Sequence, residues 1–111
     1  MCGIAGLIRF QSKYDIAESE IKKMLSSMQH RGPNNEGFVI FNNSIDKIAL
    51  GNRRLSIVDV NGGNQPFIND LRGVSVVHNG EIYNYKELKK KLLDLGYIFK
   101  SDSDTEVILN L

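Results

Sequence analysis

Short apolar runs bounded by turn-forming residues are the feature that most constrains the fold of this chain. The run "GIAGLIRF" at residues 3–10 is flanked by polar residues, which predicts a buried first strand. The runs "GFVIFN" at 37–42 and "KIALGN" at 47–52 predict two strands of a hairpin, joined through Asn42–Asn43–Ser44. The segment "GVSVVHNG" at 73–80 is rich in β-branched residues and ends in a turn dipeptide, so it predicts another strand.

Apolar residues at helical spacing predict a helix after the first strand. Asp15, with Glu18 three residues later, resembles a helix N-cap followed by a carboxylate in the first turn. Four apolar residues that follow share one helical face: Ile21, Met24, Leu25 and Met28. This pattern predicts a helix over residues 15–29.

A second helix is predicted after the turn dipeptide near residue 80. Asn84, with Glu87 three residues later, has the form of an N-cap, and Gly96 is expected to end the helix. Three leucines are expected to share one face of it: Leu88, Leu92 and Leu95.

The last part of the chain predicts a short strand, "YIFK" at 97–100, and then a third helix. Ser103 and Glu106 have capping-box spacing, and the apolar residues at 107–109 follow them. The chain stops after about two turns, although isolated helices need roughly 12–15 residues. We therefore expect the domain to have a C-terminal part that this chain lacks.

Composition excludes several function classes. The chain has 111 residues, enough for one modest domain, and a net charge of +1, which gives no indication of a nucleic acid or an anionic membrane as partner. One cysteine cannot form an internal disulfide, and no Cys/His cluster has zinc-ligand spacing, so no metal site is expected. No signal peptide and no run near 18 apolar residues is present, so we expect a soluble, cytoplasmic protein.

The single cysteine, Cys2, directly follows the initiator methionine. Removal of Met1 would leave Cys2 with a free α-amino group, which is partly neutral near pH 7 and can accept the thiol proton. Cys2 is therefore a candidate nucleophile that carries its own base, and Gly3 would let other backbone approach it closely. The alternative is that Cys2 is an incidental small residue at a frayed terminus.

Three further features could complete a site around Cys2. Asn79–Gly80 offers an amide side chain and a glycine N–H as two oxyanion donors, although Asn-Gly is also a strong hairpin signal. Arg54 could bind a carboxylate, or be an ordinary surface residue. Asp104 could bind an ammonium group, or only complement a helix dipole. Together these residues suit an α-amino acid with a carbonyl group in its side chain.

Six motifs in order resemble a known family. They are "MCGIAG" at the start, "HRGP" at 30–33, "RLSIVD" at 54–59, "QP" at 65–66, "NGEIYNY" at 79–85 and "SDTEVIL" at 103–109. The chain is similar over its whole length to the N-terminal glutaminase domain of class II glutamine amidotransferases. The motifs "RLSIVD" and "NGEIYN" favour the branch of glutamine-hydrolysing asparagine synthetases.

The resemblance implies an α+β fold, the N-terminal-nucleophile hydrolase αββα sandwich of two packed antiparallel sheets flanked by helices, with only its N-terminal part present. It implies that Cys2 is the nucleophile and that Asn79 and Gly80 form the oxyanion hole. The implied glutamine-binding residues are Arg54, Leu55, Ser56, Ile57, Val58, Asn79, Gly80, Glu81 and Asp104. No metal or cofactor is implied for this chain.

The resemblance further implies that the ammonia passes to a synthetase domain that uses ATP and magnesium to activate aspartate, a domain that we do not expect in this chain. Asn34 and Asn35 follow "HRGP" where relatives usually carry an acidic residue, a departure at positions with no implied catalytic role. Three alternatives stay open: a catalytically incompetent fragment, a subunit that depends on a partner, and the front end of an amidotransferase acting on another carboxylate, such as a cell-surface sugar.

Overall fold

The computed structural model describes residues 2–55 and 63–111 and shows an α+β arrangement. Its five strands and three helices are, in chain order, β1 (Gly3–Arg9), α1 (Glu18–Ser27), β2 (Asn35–Phe41), β3 (Lys47–Arg54), β4 (Phe67–Asn69), β5 (Val74–Val76), α2 (Tyr85–Asp94) and α3 (Asp104–Asn110). No helix in these two ranges is long and apolar enough to cross a membrane.

Strands β1, β3 and β2 form an antiparallel sheet in that order, which confirms the predicted first strand and hairpin. Gly3 pairs with Arg53 on one side of β3, and Asn35 pairs with Arg54 on the other. This register brings the beginning of the chain to the end of β3. Cys2 is consequently the neighbour of Arg54 and Leu55, more than 50 residues away in sequence.

Helix α1 covers one face of this sheet. Ile21 and Leu25 on the helix are completely buried, and they pack with Ala5 of β1 and Ala49 of β3. The opposite face of the sheet is also apolar but is partly open, with Ile4, Ile8 and Phe41 between 38% and 50% exposed. The two faces follow from the strand period of two, which alternates side chains between them.

The predicted start of α1 was wrong by three residues. Asp15 does not cap the helix, because its carboxylate pairs with Lys47 at 3.3 Å, and the Asn42 side chain bonds both the N–H and the carbonyl of Ile16. These contacts hold residues 15–16 outside the helix. Ala17 is the N-cap residue instead, and its N–H donates to Glu20 Oε2 at 2.8 Å.

Strands β4 and β5 form a second, two-stranded antiparallel sheet, with α3 packed on it and α2 packed on α3. Strand β4 was not predicted. The predicted strand at 73–80 is shorter than expected, since β5 ends at Val76 and the backbone of His78 bonds to the Gln65 side chain instead.

The predicted strand at 97–100 was wrong. Tyr97 N–H donates to Leu92 O at 3.0 Å, which closes the end of α2, and Lys100 N–H donates to the Glu106 carboxylate at 2.8 Å. Gly96 does end α2, as predicted, with a φ of +90°. Leu92 is buried as expected, but Leu95 lies past the helix and is 75% exposed.

Helix α3 begins after Ser103, as predicted, and the Ser103 hydroxyl accepts from the N–H of Thr105 at 3.2 Å. Glu106 does not complete the capping box. Its carboxylate is buried and accepts from the N–H groups of Lys100 and Ser101, each at 2.8 Å. Glu106 thus shapes the turn that leads to Asp104.

Candidate active site

The thiol of Cys2 lies against the backbone of Leu55. Leu55 N–H donates to Sγ at 3.3 Å, and the Leu55 carbonyl lies 3.7 Å from Sγ, where it can accept from the thiol. Cys2 itself is half-buried. The pairing of β1 with β3 therefore supplies the sulfur with a backbone donor and a backbone acceptor.

The loop at residues 30–34 closes tightly over the end of β3. A β-carbon at Gly32 would lie 2.2 Å from the carbonyl carbon of Arg53 and 2.5 Å from the nitrogen of Arg54, so only glycine fits there. Asn34 N–H donates to Arg54 O at 3.1 Å. These contacts give the glycine of "HRGP" a physical role, which is to let the loop approach the strand that carries Arg54.

Consecutive arginines at the end of β3 have different partners because strand side chains alternate between faces. Arg53 is paired with Glu36 at 2.9 Å. Arg54 is only 5% exposed, and its Nη1 donates to Asn64 Oδ1 at 3.2 Å. The same Asn64 oxygen accepts from Asn35 Nδ2 at 2.9 Å, which ties Asn64 to β2.

The segment before Asn79 is held by Gln65. Gln65 Oε1 accepts from His78 N–H at 2.6 Å, and its Nε2 donates to His78 O at 3.1 Å. Thr105 Oγ1 lies 3.3 Å from Gln65 Nε2 and 3.4 Å from His78 Nδ1. The His78 ring also lies over Gly80, where a β-carbon would be 2.8 Å from Nε2.

Asp104, the first residue of α3, reaches the segment that follows the Asn-Gly dipeptide. Its Oδ2 accepts from Ile82 N–H at 2.9 Å, and the residue is 8% exposed. A carboxylate has a second oxygen and spare lone pairs, so Asp104 can fix this backbone and still accept from an ammonium group.

These groups meet in one cavity of about 270 Å³. Seven of the predicted site residues line it: Cys2, Arg54, Leu55, Asn79, Gly80, Glu81 and Asp104. The other three, Ser56, Ile57 and Val58, lie outside the described residues. The cavity is slightly smaller than the roughly 300–1,000 Å³ of typical ligand pockets, which suits a single amino acid.

Sequence reasoning missed six residues that also line the cavity: Gly63, Gln65, His78, Tyr83, Ser103 and Thr105. Gln65 and Thr105 fall inside the motifs "QP" and "SDTEVIL", and His78 directly precedes "NGEIYNY", so position next to a motif was the available signal. Within residues 2–55 and 63–111, no group of three or more His, Cys, Asp or Glu residues could hold a metal ion.

Comparison with known proteins identifies the family of this chain. Residues 1–111 match the family model described as glutamine amidotransferase domain. The chain is 41% identical over 111 residues to asparagine synthetase [glutamine-hydrolyzing] 1 of Bacillus subtilis, and 42% identical over 113 residues to asparagine synthetase B [glutamine-hydrolyzing] of Escherichia coli.

A further relative is the putative asparagine synthetase [glutamine-hydrolyzing] 2 of Methanocaldococcus jannaschii, 40% identical over 126 residues. These matches cover 98–100% of the chain, but the chain spans only 17%, 19% and 24% of the three relatives, in the order given. Because the family model matches every residue, the chain belongs to the glutamine amidotransferase domain family.

Proposed function

We propose that this domain hydrolyses glutamine to glutamate and ammonia through a thioester on Cys2. One observation carries the proposal: a thiol, a buried guanidinium, an Asn-Gly dipeptide and a buried carboxylate line a single cavity, although they come from four separate parts of the chain. Membership of the glutamine amidotransferase domain family supports glutamine as the substrate.

Glutamine binding would use the charged groups of the cavity. The planar guanidinium of Arg54 can hold the substrate carboxylate with two parallel hydrogen bonds. Asp104 would accept from the substrate ammonium, and Glu81 adds a second carboxylate to the cavity lining. Leu55 and the segment 56–58 are proposed to line the substrate side chain.

In the first half-reaction, the α-amino group of Cys2 takes the thiol proton once Met1 has been removed. Sγ then attacks the carbonyl carbon of the substrate side chain, and the carbonyl π electrons move onto oxygen. Asn79 Nδ2 and Gly80 N–H donate to this oxyanion. When the intermediate collapses, the C–N bond breaks and the protonated α-amino group gives its proton to the departing amide nitrogen. Ammonia is released, and the glutamyl group remains bound to Sγ as a thioester.

The second half-reaction repeats these roles with water. The α-amino group takes a proton from the attacking water, and the oxygen of the new intermediate meets the same two donors. Collapse breaks the C–S bond and returns the proton to sulfur. The products are glutamate and a free Cys2 thiol, so the site is ready for another glutamine.

The αββα sandwich that the resemblance implies is part of the proposal. Two observations support it: α1 covers only one face of the β1–β3–β2 sheet, and α3 packs on the β4–β5 sheet. The apolar side chains of Ile4, Ile8 and Phe41 on the uncovered face suit the interior of a sandwich. We infer that residues 1–111 form part of such a domain.

For the ammonia acceptor we propose a synthetase domain or subunit that amidates aspartate in the cytoplasm, with ATP and magnesium bound there and none by this chain. The names of the relatives, glutamine-hydrolysing asparagine synthetases, support this choice. Amidation of another carboxylate is the second candidate, and it would use the same glutamine chemistry.

The test is ammonia release from glutamine by the protein with Met1 removed, beside a Cys2→Ala variant and a form in which Met1 is retained. We expect activity only in the first, because alanine lacks the nucleophile and a retained methionine keeps the nitrogen of Cys2 in a peptide bond, where it cannot act as a base. Ammonia release by the Cys2→Ala variant at the wild-type rate would contradict the proposal. Inactivity of all three folded proteins would favour the incompetent fragment.

A further inference from the structure

The Gln65 side chain pairs with the backbone of His78 as a neighbouring strand would. Its Oε1 accepts from the N–H of His78 at 2.6 Å, and its Nε2 donates to the carbonyl of the same residue at 3.1 Å. Strand β5 ends two residues earlier, at Val76. One side chain therefore continues the hydrogen-bonding pattern of the sheet beyond the strand.

His78 is the residue directly before the Asn79–Gly80 dipeptide. Asn79 and Gly80 are exposed at the cavity, so their own burial does not hold them. The orientation of their donor groups consequently depends on the backbone on either side. On the far side, Asp104 holds Ile82 N–H at 2.9 Å, and on the near side Gln65 holds His78.

Gln65 also lies against two other elements. Its backbone carbonyl oxygen lies so close to Gly37 of β2 that a β-carbon on Gly37 would be only 2.0 Å from it. Its Nε2 lies 3.3 Å from the hydroxyl of Thr105, which is 2% exposed and follows Asp104 in α3. Gln65 thus connects β2, the Asn-Gly segment and α3 at a single point beside the cavity.

We propose that Gln65 is a positioning residue that aims the two oxyanion donors, Asn79 and Gly80, at the reacting carbonyl. This inference rests on the proposed glutamine hydrolysis. Oxyanion donors act only when they lie about 2.7–3.1 Å from the developing negative charge, so their alignment matters more in the transition state than in substrate binding. Loss of Gln65 should therefore lower kcat and leave KM nearly unchanged.

The test compares steady-state glutamine hydrolysis by the protein with Met1 removed, Gln65→Leu and Gln65→Glu. Leucine fills similar space without either hydrogen bond, whereas glutamate keeps an acceptor for His78 N–H but loses the donor to His78 O. Gln29→Leu is the matched control, because Gln29 is exposed near the end of α1. The alkylation rate of Cys2 by iodoacetamide is the second readout, and the single cysteine makes it unambiguous.

For Gln65→Leu we expect kcat to fall at least about tenfold, KM to stay within about twofold, and alkylation to stay within about twofold, since a displaced donor slows only the step that builds the oxyanion. The kcat of Gln65→Glu should lie between that of wild type and that of Gln65→Leu. Gln29→Leu should match wild type in all three measurements.

Unchanged kcat in Gln65→Leu, or parallel losses in kcat and Cys2 alkylation, would overturn the assignment. The second result would show that Gln65 merely supports the fold around the thiol. If the wild-type protein releases no ammonia while Cys2 is readily alkylated, the proposed function fails, and this inference fails with it. The outcome for wild type thus separates failure of the function from failure of the role of Gln65.

Discussion

The backbone carbonyl oxygen of Gln65 occupies the space where the β-carbon of any side chain on Gly37 would lie. An ideal β-carbon on Gly37 would lie 2.0 Å from that oxygen, well inside contact distance. Because Gln65 in turn holds the backbone before the Asn-Gly dipeptide, the absence of a side chain in the middle of β2 is connected to the geometry of the cavity.

Gly37→Ala should destabilise the domain by about 1–3 kcal/mol, since the neighbouring contact is backbone that cannot rotate away. It should also lower kcat for glutamine, because the displaced Gln65 no longer holds His78. Gly6→Ala is the control: its β-carbon would lie 3.8 Å from Leu50, an ordinary contact. Urea unfolding and ammonia release measure both effects, and equal stability of the two variants would contradict this account.

Arg54→Lys should raise KM for glutamine about tenfold with little change in kcat, which corresponds to losing one charge-assisted hydrogen bond of about 1.5 kcal/mol. Lysine keeps the positive charge but cannot bind a carboxylate with two parallel donors. Steady-state kinetics at varied glutamine concentration measure the change. An unchanged KM would remove Arg54 from the carboxylate site.

Asp104→Asn should raise KM for glutamine by about tenfold or more, because a neutral amide gives up the charge-assisted hydrogen bond to the substrate ammonium. An asparagine oxygen can still accept from Ile82 N–H, so thermal stability should change little. Asp94→Asn, which removes the same charge at the exposed end of α2, is the control. If both variants give the same KM, Asp104 does not bind the substrate amine.

Glu20 should make folding pH-dependent. The hydrogen bond from Ala17 N–H makes the largest contribution to lowering the pKa of the Glu20 carboxyl below its usual value, and the positive charge of Arg9 makes a smaller one. A lowered folded-state pKa contributes stability above the unfolded pKa, and this contribution is lost as the pH falls through the folded pKa.

Glu20→Gln should therefore be less stable than wild type near pH 7, with a difference that shrinks below about pH 4 as the carboxyl of the wild type takes up its proton. Urea unfolding of both proteins near pH 7 and below about pH 4 measures this difference in the free energy of unfolding. Glu18→Gln, which breaks only an exposed pair with Lys22, should change stability much less at either pH. A Glu20→Gln deficit that does not vary with pH would contradict the assignment.

The sequence predicted elements whose pattern is local and missed those that depend on distant contacts. Strands β1 to β3 and the three helices carry their own periodicity. Strand β4 has only three residues, too few to show alternation, and it exists through pairing with β5. The start of α1 was displaced by the side chains of Asn42 and Lys47, which no local pattern in residues 15–18 reveals.

The same distinction applies to the cavity. Residues that would touch substrate stood out because their chemistry is recognisable in a motif, and seven of them line one cavity. The residues that hold the backbone around the cavity did not stand out in the sequence. Gln65, His78 and Thr105 are joined by contacts that span 13, 27 and 40 residues, and their side chains are ordinary until the fold brings them together.

The most direct test of the central claim is covalent labelling by a glutamine analogue that carries a diazoketone in place of the side-chain amide. The analogue reacts with the nucleophile, and mass spectrometry of the N-terminal peptide locates the adduct. We predict one adduct on Cys2, only in molecules that lack Met1, with protection by excess glutamine. Adduct formation at another residue, or equal labelling of molecules that retain Met1, would contradict the account.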